Sequence, residues 1–263
     1  MKNPTRHYFL SDAHFGSGFG NDDTRAEIFA QFCDTICGTN CTVTIVGDFF
    51  DFWIEYSHVM RTDYLKVAAS IYNLRRSGIP VTFIAGNHDF MPYTFFEEQL
   101  GISIVRGHSI SNFNGHAIYL CHGDDLRGDW KYRALHAFLR NKTAQRLYCA
   151  IHPTIGIGLA EYLSKLSRKH STKTGRYLSD ERQKWYHAKA DELLKNSNAH
   201  VLIMGHTHRA DITILENGIH ANCGAWLNAP TVIILDNDII SLVKFSPEST
   251  SKFEEIQSCN IPA

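Results

Sequence analysis

Five short apolar runs in this sequence each end directly before residue types that commonly bind metal ions. The runs cover residues 8–10, 43–46, 81–85, 118–121 and 201–204, and the polar residues that follow them begin at Ser11, Gly47, Gly86, His122 and Gly205. Runs of this length and composition indicate strands buried on both faces, as in parallel sheets. Ligands of open α/β sheets bind beyond the carboxyl ends of the strands. The pattern therefore predicts one site at that edge.

The chain length bounds the number of domains. With 263 residues, of which 44% are hydrophobic, the sequence fits one large domain, or one domain with an insertion. No apolar run approaches the roughly 20 residues of a membrane span. The first four residues, Met-Lys-Asn-Pro, lack the apolar segment of a signal peptide. We therefore expect a cytoplasmic protein.

Helical spacing of apolar residues separates the first three runs. Residues 24–37 and 63–77 carry this spacing, so the first ninety residues are predicted to form a β-α-β-α-β unit. Asp22 and Asp23 are the capping candidates for the first helix. After residue 211, four short runs at 212–215, 218–222, 231–235 and 239–245 are predicted to be antiparallel strands of a second sheet. The polar tail 246–263 is expected to fray.

Charge is unevenly distributed along the chain. The formal net charge is −1, but residues 127–195 contain 15 Lys and Arg against 6 Asp and Glu, whereas the remainder contains 11 against 21. The same segment carries helical patterns rich in basic and aromatic residues. We predict that 127–195 is a helical cap inserted between the two parts of one core, 1–126 and 196–263. A basic block within an acidic chain indicates an anionic partner.

The residues after the five runs supply the ligands of a site for two metal ions. Such a site needs one bridging ligand and enough Asp, Asn and His to complete both coordination shells. The blocks are D-x-H at 12–14, G-D at 47–48, G-N-H-D at 86–89, H-G at 122–123 and G-H-x-H at 205–208. A lone His or Asp near a strand end is more often structural. Five such blocks in this order indicate a metal-dependent enzyme.

The order of these blocks resembles the calcineurin-like metallophosphoesterases, over nearly the whole chain. The resemblance implies an α/β fold with two β-sheets in a sandwich flanked by helices, here with the inserted cap. It also implies two divalent metal ions, with Mn²⁺ expected. The ligands that it implies are Asp12, His14, Asp48 and His208 for one ion, and Asp48, Asn87, His122 and His206 for the other. Asp48 would bridge the two ions.

Further motifs narrow the resemblance to the UDP-2,3-diacylglucosamine diphosphatases of lipid A synthesis. They are Gly-Asp-Phe-Phe-Asp-Phe-Trp at 47–53, the cap after His122-Gly123-Asp124, and the stretch from His152 to Ala160. This resemblance implies hydrolysis of UDP-2,3-diacylglucosamine to UMP and 2,3-diacylglucosamine 1-phosphate. The chain departs from the subfamily at His88, where the best-known members carry Arg, and at residues 224–228. His88 would also suit an alkoxide leaving group.

Catalytic and substrate-binding roles are expected for six residues. We expect His88 to act as a hydrogen-bond donor or acid at the scissile phosphate, with Asp89 orienting it. Asp129 and Arg133 follow His122 closely and are expected near the sugar-nucleotide head. Ser167 and Arg168 match a polar stretch that contacts glucosamine in related enzymes.

The sequence of the cap predicts that this segment binds the substrate and the membrane. Its cationic residues alternate with apolar ones, so it could lie on an anionic bilayer while apolar side chains line a slot for acyl chains. The expected partners are a UDP-linked glycolipid and the inner face of the bacterial inner membrane, with peripheral association. No nucleic acid and no obligate protein partner is expected.

Three other functions stay open on the sequence alone. A soluble phosphodiesterase or phosphatase of the same fold would act on a nucleotide or another phosphoester. A non-catalytic scaffold on that fold would be expected to lack ligands, and here every block is filled. A nucleic-acid enzyme would explain the basic cap, but the apolar content of the cap favours a lipid.

Overall fold

Two β-sheets face each other in a computed structural model that describes residues 6–56, 58–89, 94–128, 130–173 and 179–262. Strands β1–β6 are Arg6–Leu10, Cys41–Val46, Val81–Ala85, Ser103–Arg106, His108–Phe113 and His116–Cys121. Strands β7–β12 are Val201–Met204, Asp211–Ile214, Ile219–Asn222, Thr231–Asp236, Ile239–Phe245 and Phe253–Asn260. Helices α1–α6 are Asp22–Ile36, Leu65–Arg76, Trp130–Leu139, Lys142–Cys149, Pro153–Lys173 and Asp180–Lys195.

The first sheet has seven strands in the order β12-β11-β10-β1-β2-β3-β4. Strands β1 to β4 run parallel, and β10 to β12 extend the sheet antiparallel from β1. Tyr8 and Leu10 point to the layer of α1 and α2, whereas Phe9 between them points to the second sheet. Both faces of β1 are therefore covered, which explains its continuous apolar sequence. Complete burial of one such side chain contributes about 1.5–3 kcal/mol.

The second sheet has five strands in the order β5-β6-β7-β9-β8. Its inner face packs on the first sheet through residues such as Ile118, Val201 and Ile203. Helix α6 covers the outer face with three buried side chains, those of Tyr186, Ala190 and Leu194. Helix α6 thus packs on the second sheet, and it lies within residues 127–195, which the sequence predicts to be the cap. The exact limits of the cap remain a prediction.

Two expectations from the sequence are wrong: the sheet to which β10 and β11 belong, and the fraying of the tail. Strands β10 and β11 belong to the first sheet, because β10 pairs antiparallel with β1 in the register His7↔Leu235. The tail does not fray throughout, since β12 pairs with β11 from Phe253 to Asn260. Alternation of apolar residues predicts that a stretch forms a strand, but it does not specify which neighbour supplies the backbone hydrogen bonds. The predicted sandwich fold itself is confirmed.

The helix ends follow from local side-chain chemistry. Helix α1 begins at Asp22 and is capped by Asn21, whose side chain accepts a hydrogen bond from the backbone N–H of Thr24. The capping residue is thus Asn21 rather than Asp22 or Asp23, which lie in the first turn and face the positive end of the helix dipole. Helix α2 ends before Gly78, whose φ of 88° terminates the helix in a left-handed conformation.

Helices α3, α4 and α5, which lie within the predicted cap, leave many apolar side chains in solvent. Nine large hydrophobic residues between 130 and 166 are exposed: Trp130, Leu135, Phe138, Leu147, Ile155, Leu159, Tyr162, Leu163 and Leu166. Helix α4 has no buried residue. Within the described part of the chain, no helix has both the length and the apolar character that a membrane crossing requires. An apolar surface of this extent is typical of a binding surface.

Candidate metal centre

The polar blocks predicted from the sequence converge where the carboxyl ends of five strands meet. Three blocks follow the parallel strands β1, β2 and β3, and two follow the parallel strands β6 and β7 of the other sheet. Backbone hydrogen bonds join the loops, since Asp12 N–H donates to Gly47 O at 3.1 Å and His14 N–H donates to Asp48 O at 3.1 Å. The loops therefore support one another at the mouth of the sandwich.

Asp12, His14 and His208 form the first group of metal-ligand type. Oδ1 of Asp12 lies 3.1 Å from Nε2 of His208 and 3.8 Å from Nε2 of His14. The other oxygen, Oδ2, accepts a hydrogen bond from the backbone N–H of His206 at 2.9 Å. That bond orients the carboxylate so that Oδ1 faces the two imidazoles.

Asp48, His122 and His206 form the second group, and Asn87 lies beside them. Oδ2 of Asp48 is 3.3 Å from Nε2 of His122, and Oδ1 of Asn87 is 3.0 Å from Nδ1 of His206. His122 is held by its other nitrogen, because Nδ1 donates to the carbonyl of Val46 at 2.8 Å. A backbone bond of this kind sets the tautomer that leaves Nε2 available to a metal.

Asp48 lies between the two groups. Its Oδ2 is 3.9 Å from Nε2 of His14 in the first group and 3.3 Å from Nε2 of His122 in the second. Its Oδ1 accepts the backbone N–H of His88 at 2.8 Å. All seven residues that the sequence predicts as ligands are thus brought together, and one carboxylate adjoins both groups.

The backbone at these positions is strained. Among the described residues, seven other than glycine have a positive φ, and five of them belong to the predicted ligand set: Asp12, His14, Asp48, His206 and His208. This left-handed region costs on the order of 1–3 kcal/mol for each such residue, and strain of this kind concentrates at functional sites.

Two glycines are required by close packing at the centre. A Cβ atom on Gly86 would overlap the side chain of Asp48, and a Cβ atom on Gly205 would overlap the side chains of Asp12 and Ser11. The neighbouring backbone can approach the carboxylates only because no side chain intervenes. Gly86 and Gly205, which begin two of the polar blocks, thus have a steric cause.

The donor set fits two divalent cations. Oδ1 of Asp12 and Nε2 of His122 are buried and have no hydrogen-bond partner among the described residues. Burial lowers the pKa of His14 and of His206 well below 6.5, so both imidazoles are neutral. Burial tends to raise the pKa of Asp48, but His122 and His88 outweigh it and hold the pKa well below 3.8. Neutral imidazoles, as at His14 and His206, and an ionised carboxylate, as at Asp48, are the forms that bind metal ions. At His122 burial disfavours the charged form, but the charges of Asp48 and Asp12 outweigh it and raise the pKa well above 6.5.

His88 is oriented by a different residue from the one predicted. Its Nδ1 lies 2.7 Å from the carbonyl oxygen of Asp51 and 3.8 Å from Oδ1 of the same residue. Asp89 instead uses Oδ2 to accept backbone N–H groups of Asp48 at 2.7 Å and Gly86 at 2.8 Å. Asp89 therefore ties together the loops that follow β2 and β3. Burial disfavours the charged form of His88, but Asp48 and Asp51 outweigh it and raise its pKa.

Asp51 is the site residue that the sequence analysis missed. It is 1% exposed and groups with His14 and His88, and Ser164 of helix α5 donates to its Oδ2 at 2.7 Å. The cap is thereby joined to the centre by a buried hydrogen bond. A second contact joins them at the rim, where Arg61 pairs with Glu161 of α5 at 3.3 Å. The sequence did contain a sign that Asp51 belongs to the site, because it is a second carboxylate three residues after Asp48 in an otherwise aromatic motif.

The side chains of the four predicted substrate-binding residues lie outside the described part of the structure. Asp129 lies outside the described residues. Arg133 belongs to α3, and Ser167 and Arg168 belong to α5, but their side chains lie outside the described part of the structure. Their roles remain predictions.

A sandwich of two sheets with this donor set at the strand ends defines a class of metal-dependent phosphoesterases. The family model described as calcineurin-like phosphoesterase matches residues 5–210, and the chain belongs to that family. Members of this family use a dinuclear divalent metal centre. The chain is therefore a metal-dependent hydrolase, and the predicted family is confirmed.

Curated relatives share one name, UDP-2,3-diacylglucosamine hydrolase. The protein of Porphyromonas gingivalis is 32% identical over 63% of this chain and 64% of its own length, so the match spans slightly less than two thirds of that relative. The protein of Haemophilus ducreyi is 29% identical over 84% of this chain and 91% of its own. The protein of Neisseria meningitidis is 28% identical over 88% of this chain and 94% of its own.

Proposed function

We propose that this protein hydrolyses the pyrophosphate bond of UDP-2,3-diacylglucosamine and releases UMP and 2,3-diacylglucosamine 1-phosphate, a step of lipid A biosynthesis. Relatives named for hydrolysis of this substrate, which match up to 88% of the chain, support the proposal. A substrate of this kind combines a hydrolysable pyrophosphate with two acyl chains. The protein needs a dimetal centre for the first and an apolar surface for the second.

The proposed substrate class rests on one observation, which is that the apolar surface of the cap lies beside the metal centre. Leu159 and Leu163 are 41% and 52% exposed on helix α5, and Ser164 of the same helix bonds to Asp51 at the centre. A ligand anchored at the metal centre could therefore extend along α5. Burial of each acyl methylene is worth about 0.8 kcal/mol, so two chains could dominate affinity.

The two ions would be held by the seven predicted ligands. One set is Asp12, His14, Asp48 and His208, and the other is Asp48, Asn87, His122 and His206. When bound, two divalent ions neutralise charge on the attacked phosphate and provide a nucleophile at neutral pH. Nitrogen and oxygen ligands of this kind suit Mn, Fe or Zn, and we propose Mn²⁺.

His88 would contact the scissile phosphate rather than a metal ion. The hydrogen bond with Asp51 O assigns the proton on Nδ1, so Nε2 is the atom left for the substrate. The leaving group is a phosphate monoester with a second pKa of about 6, and it needs charge stabilisation more than a proton. A cationic His88, favoured by its raised pKa, supplies that charge as Arg would.

Substrate contacts and membrane attachment complete the proposal. Asp129 and Arg133 would lie near the sugar-nucleotide head, and Ser167 and Arg168 near the glucosamine. The cationic and apolar cap would bind peripherally to the anionic inner face of the inner membrane, with the protein in the cytoplasm.

Product analysis tests the substrate directly. The manganese-loaded protein is incubated with UDP-2,3-diacylglucosamine, with UDP-glucose and with a chromogenic phosphodiester, and release of UMP is followed by chromatography. We expect UMP from the diacyl substrate at a kcat/KM far above that for UDP-glucose. Equal turnover of both UDP-sugars would show that the protein does not recognise the acyl chains.

A soluble phosphodiesterase or phosphatase of the same fold is the second candidate. It is favoured by one observation, the histidine at position 88, because an imidazolium can protonate an alkoxide leaving group as well as stabilise a phosphate. Rapid hydrolysis of the chromogenic phosphodiester, with little turnover of the diacyl substrate, would support this alternative.

A further inference from the structure

A second group of metal-ligand type lies apart from the dimetal centre, between helix α6 and the β8–β9 hairpin. It consists of His187 on α6, Asp211 on β8 and His220 on β9, with one potential ligand atom of each residue within 4.8 Å of the others. None of the three belongs to the ligand set of the dimetal centre. The sequence analysis singled out none of them.

His220 is the residue of this group that most needs a partner. It is 2% exposed, and neither of its ring nitrogens has a hydrogen-bond partner among the described residues. A buried polar group left unsatisfied costs about 1–3 kcal/mol, and such groups are rare in folded proteins. Burial lowers the pKa of His220 to about 4, so the ring is neutral and keeps a lone pair at neutral pH.

His187 and Asp211 lie at the separation of two ligands of one ion. Nε2 of His187 is 3.2 Å from Oδ2 of Asp211, yet this nitrogen makes no hydrogen bond in the described part of the chain. Ligands bound to zinc at about 2.0–2.1 Å in tetrahedral geometry are separated by about 3.3 Å. The observed distance therefore accommodates a shared cation.

Neighbouring side chains hold the carboxylate in place. Oδ2 of Asp211 accepts hydrogen bonds from Nε2 of Gln183 at 3.1 Å and from Oγ1 of Thr213 at 2.8 Å. Outer hydrogen bonds of this type orient the ligands of metal sites and set their affinity. Gln183 lies one helical turn before His187, so α6 contributes both a ligand and its support.

Strand register explains why the three side chains meet. In the β8–β9 ladder Asp211 lies opposite Asn222 and Thr213 lies opposite His220. Side chains two residues apart share a face of a sheet, so Asp211 and His220 both project from the face that α6 covers. The helix then brings His187 over this pair, with ring centroids of His187 and His220 at 5.1 Å.

We propose that His187, Asp211 and His220 bind a third divalent cation, of the zinc class, that is separate from the two catalytic ions. Two imidazoles and one carboxylate are a ligand set that Zn²⁺ takes, and a solvent ligand completes the tetrahedron. Solvent can reach the site because the side chains of His187 and Asp211 are 21% and 20% exposed. The ion would join α6 to the hairpin.

The joined hairpin also supports the dimetal centre. Asn222, opposite Asp211, donates to Gly205 O at 2.8 Å and to Thr207 Oγ1 at 3.0 Å, in the loop that carries His206 and His208. A cation at the third site would therefore stiffen the base of that loop. A cation at the third site would have this effect whichever substrate the dimetal centre hydrolyses.

Metal counting tests the site with zinc chloride alone. Metal-free wild-type protein is loaded with zinc, freed of excess ions and analysed by mass spectrometry together with a His187→Gln variant. His200→Gln is the matched control, because His200 is an exposed histidine outside every group of metal-ligand type described above. We expect three zinc ions per chain in the wild type and in the control, and two in His187→Gln. Two ions in all three proteins would overturn the proposal.

Anomalous diffraction gives a second measurement that does not depend on any variant. Wild-type crystals soaked in zinc chloride are measured at the zinc absorption edge. We expect an anomalous peak between the three side chains, in addition to the peaks at the dimetal centre. A site without a peak, at a zinc concentration that fills the dimetal centre, would contradict the proposal even if the His187→Gln variant failed to fold.

Discussion

Asp48 is the residue on which the chemistry of the centre depends most. Its carboxylate adjoins both groups of ligands, its φ of 50° is strained, and its amide is anchored by Asp89. Because the Asp48 side chain is held in place, its negative charge stays between the two groups of ligands. Bound cations there would balance that charge. Strain that the surrounding loops hold in place gives a pre-organised site.

Replacement of Asp48 should disrupt both metal sites at once. In Asp48→Asn the shape is kept but the bridging charge is lost. We therefore expect fewer than two ions per chain and a fall in kcat of about 10²-fold or more. Metal content by mass spectrometry and turnover of a chromogenic phosphodiester provide the two measurements. A variant with two ions and near-normal turnover would show that another ligand bridges them.

His88 should separate catalysis from metal binding. His88→Ala is expected to keep both ions, because none of the proposed ligand contacts involves its side chain, while kcat falls by about 10²-fold or more. His88→Arg should recover part of this activity on a pyrophosphate substrate, since a cation is restored. Loss of an ion from His88→Ala would instead make His88 a ligand.

At the scale of secondary-structure elements, the cap helices differ from every other helix in what they bury. Helices α1, α2 and α6 each bury a continuous apolar face against a sheet, whereas α4 buries no residue. An apolar helix face that no described part of the chain covers can contact a ligand or a membrane. This difference is the structural basis for assigning the acyl chains to the cap.

Charges placed on the apolar surface of α5 should lower the turnover of the diacyl substrate and leave that of small substrates unchanged. Leu159→Glu combined with Leu163→Glu introduces charge where acyl methylenes are proposed to bind. We therefore expect kcat/KM for UDP-2,3-diacylglucosamine to fall by about tenfold or more, which corresponds to about 1.4 kcal/mol. Hydrolysis of a small chromogenic phosphodiester should change little.

A matched control for this double variant lies on β12, an edge strand of the first sheet. Ile256 on β12 is 56% exposed, so Ile256→Glu makes the same kind of surface change far from α5 in the chain and in another element. It should leave both activities unchanged. Equal losses on the diacyl and the small substrate in the α5 variant would mean that the helix supports the centre rather than the lipid.

At the scale of the whole molecule, the free energy of unfolding depends on pH through His220, which is buried in its neutral form. The pKa of His220 falls to about 4 on burial, from 6.5 in the unfolded chain. Between these two pH values the unfolded chain binds the additional proton, so acid favours unfolding. Above pH 6.5 the residue is neutral in both states and its contribution to pH dependence vanishes.

Acid should therefore lower the free energy of unfolding more in the wild type than in a His220→Gln variant. Urea denaturation of the metal-free proteins between pH 7.5 and pH 4 measures this. The wild type should lose up to about 3 kcal/mol more than the variant across this interval. Parallel curves for the two proteins would show that His220 titrates normally in the folded state.

Much of the catalytic centre could be predicted from local sequence. Apolar runs of strand length and the residue types after them are local properties, and parallel strands necessarily bring their carboxyl ends to one edge. The convergence of the polar blocks at one edge and the first two crossover helices were therefore predictable from local sequence. The sandwich fold and the set of seven proposed ligands followed instead from the resemblance to a family. The order of the five polar blocks along the chain also resembles that of the family to which the comparison assigns the chain.

Other features depended on contacts between distant parts of the chain. Ser164 reaches Asp51 across 113 residues, β10 pairs with β1 rather than within the second sheet, and His187 meets Asp211 and His220 only because α6 crosses that face. Periodicity reports which face of an element is buried, but not which partner buries it. Pairing and packing of whole elements, which depend on the total fit of the fold, settled these contacts.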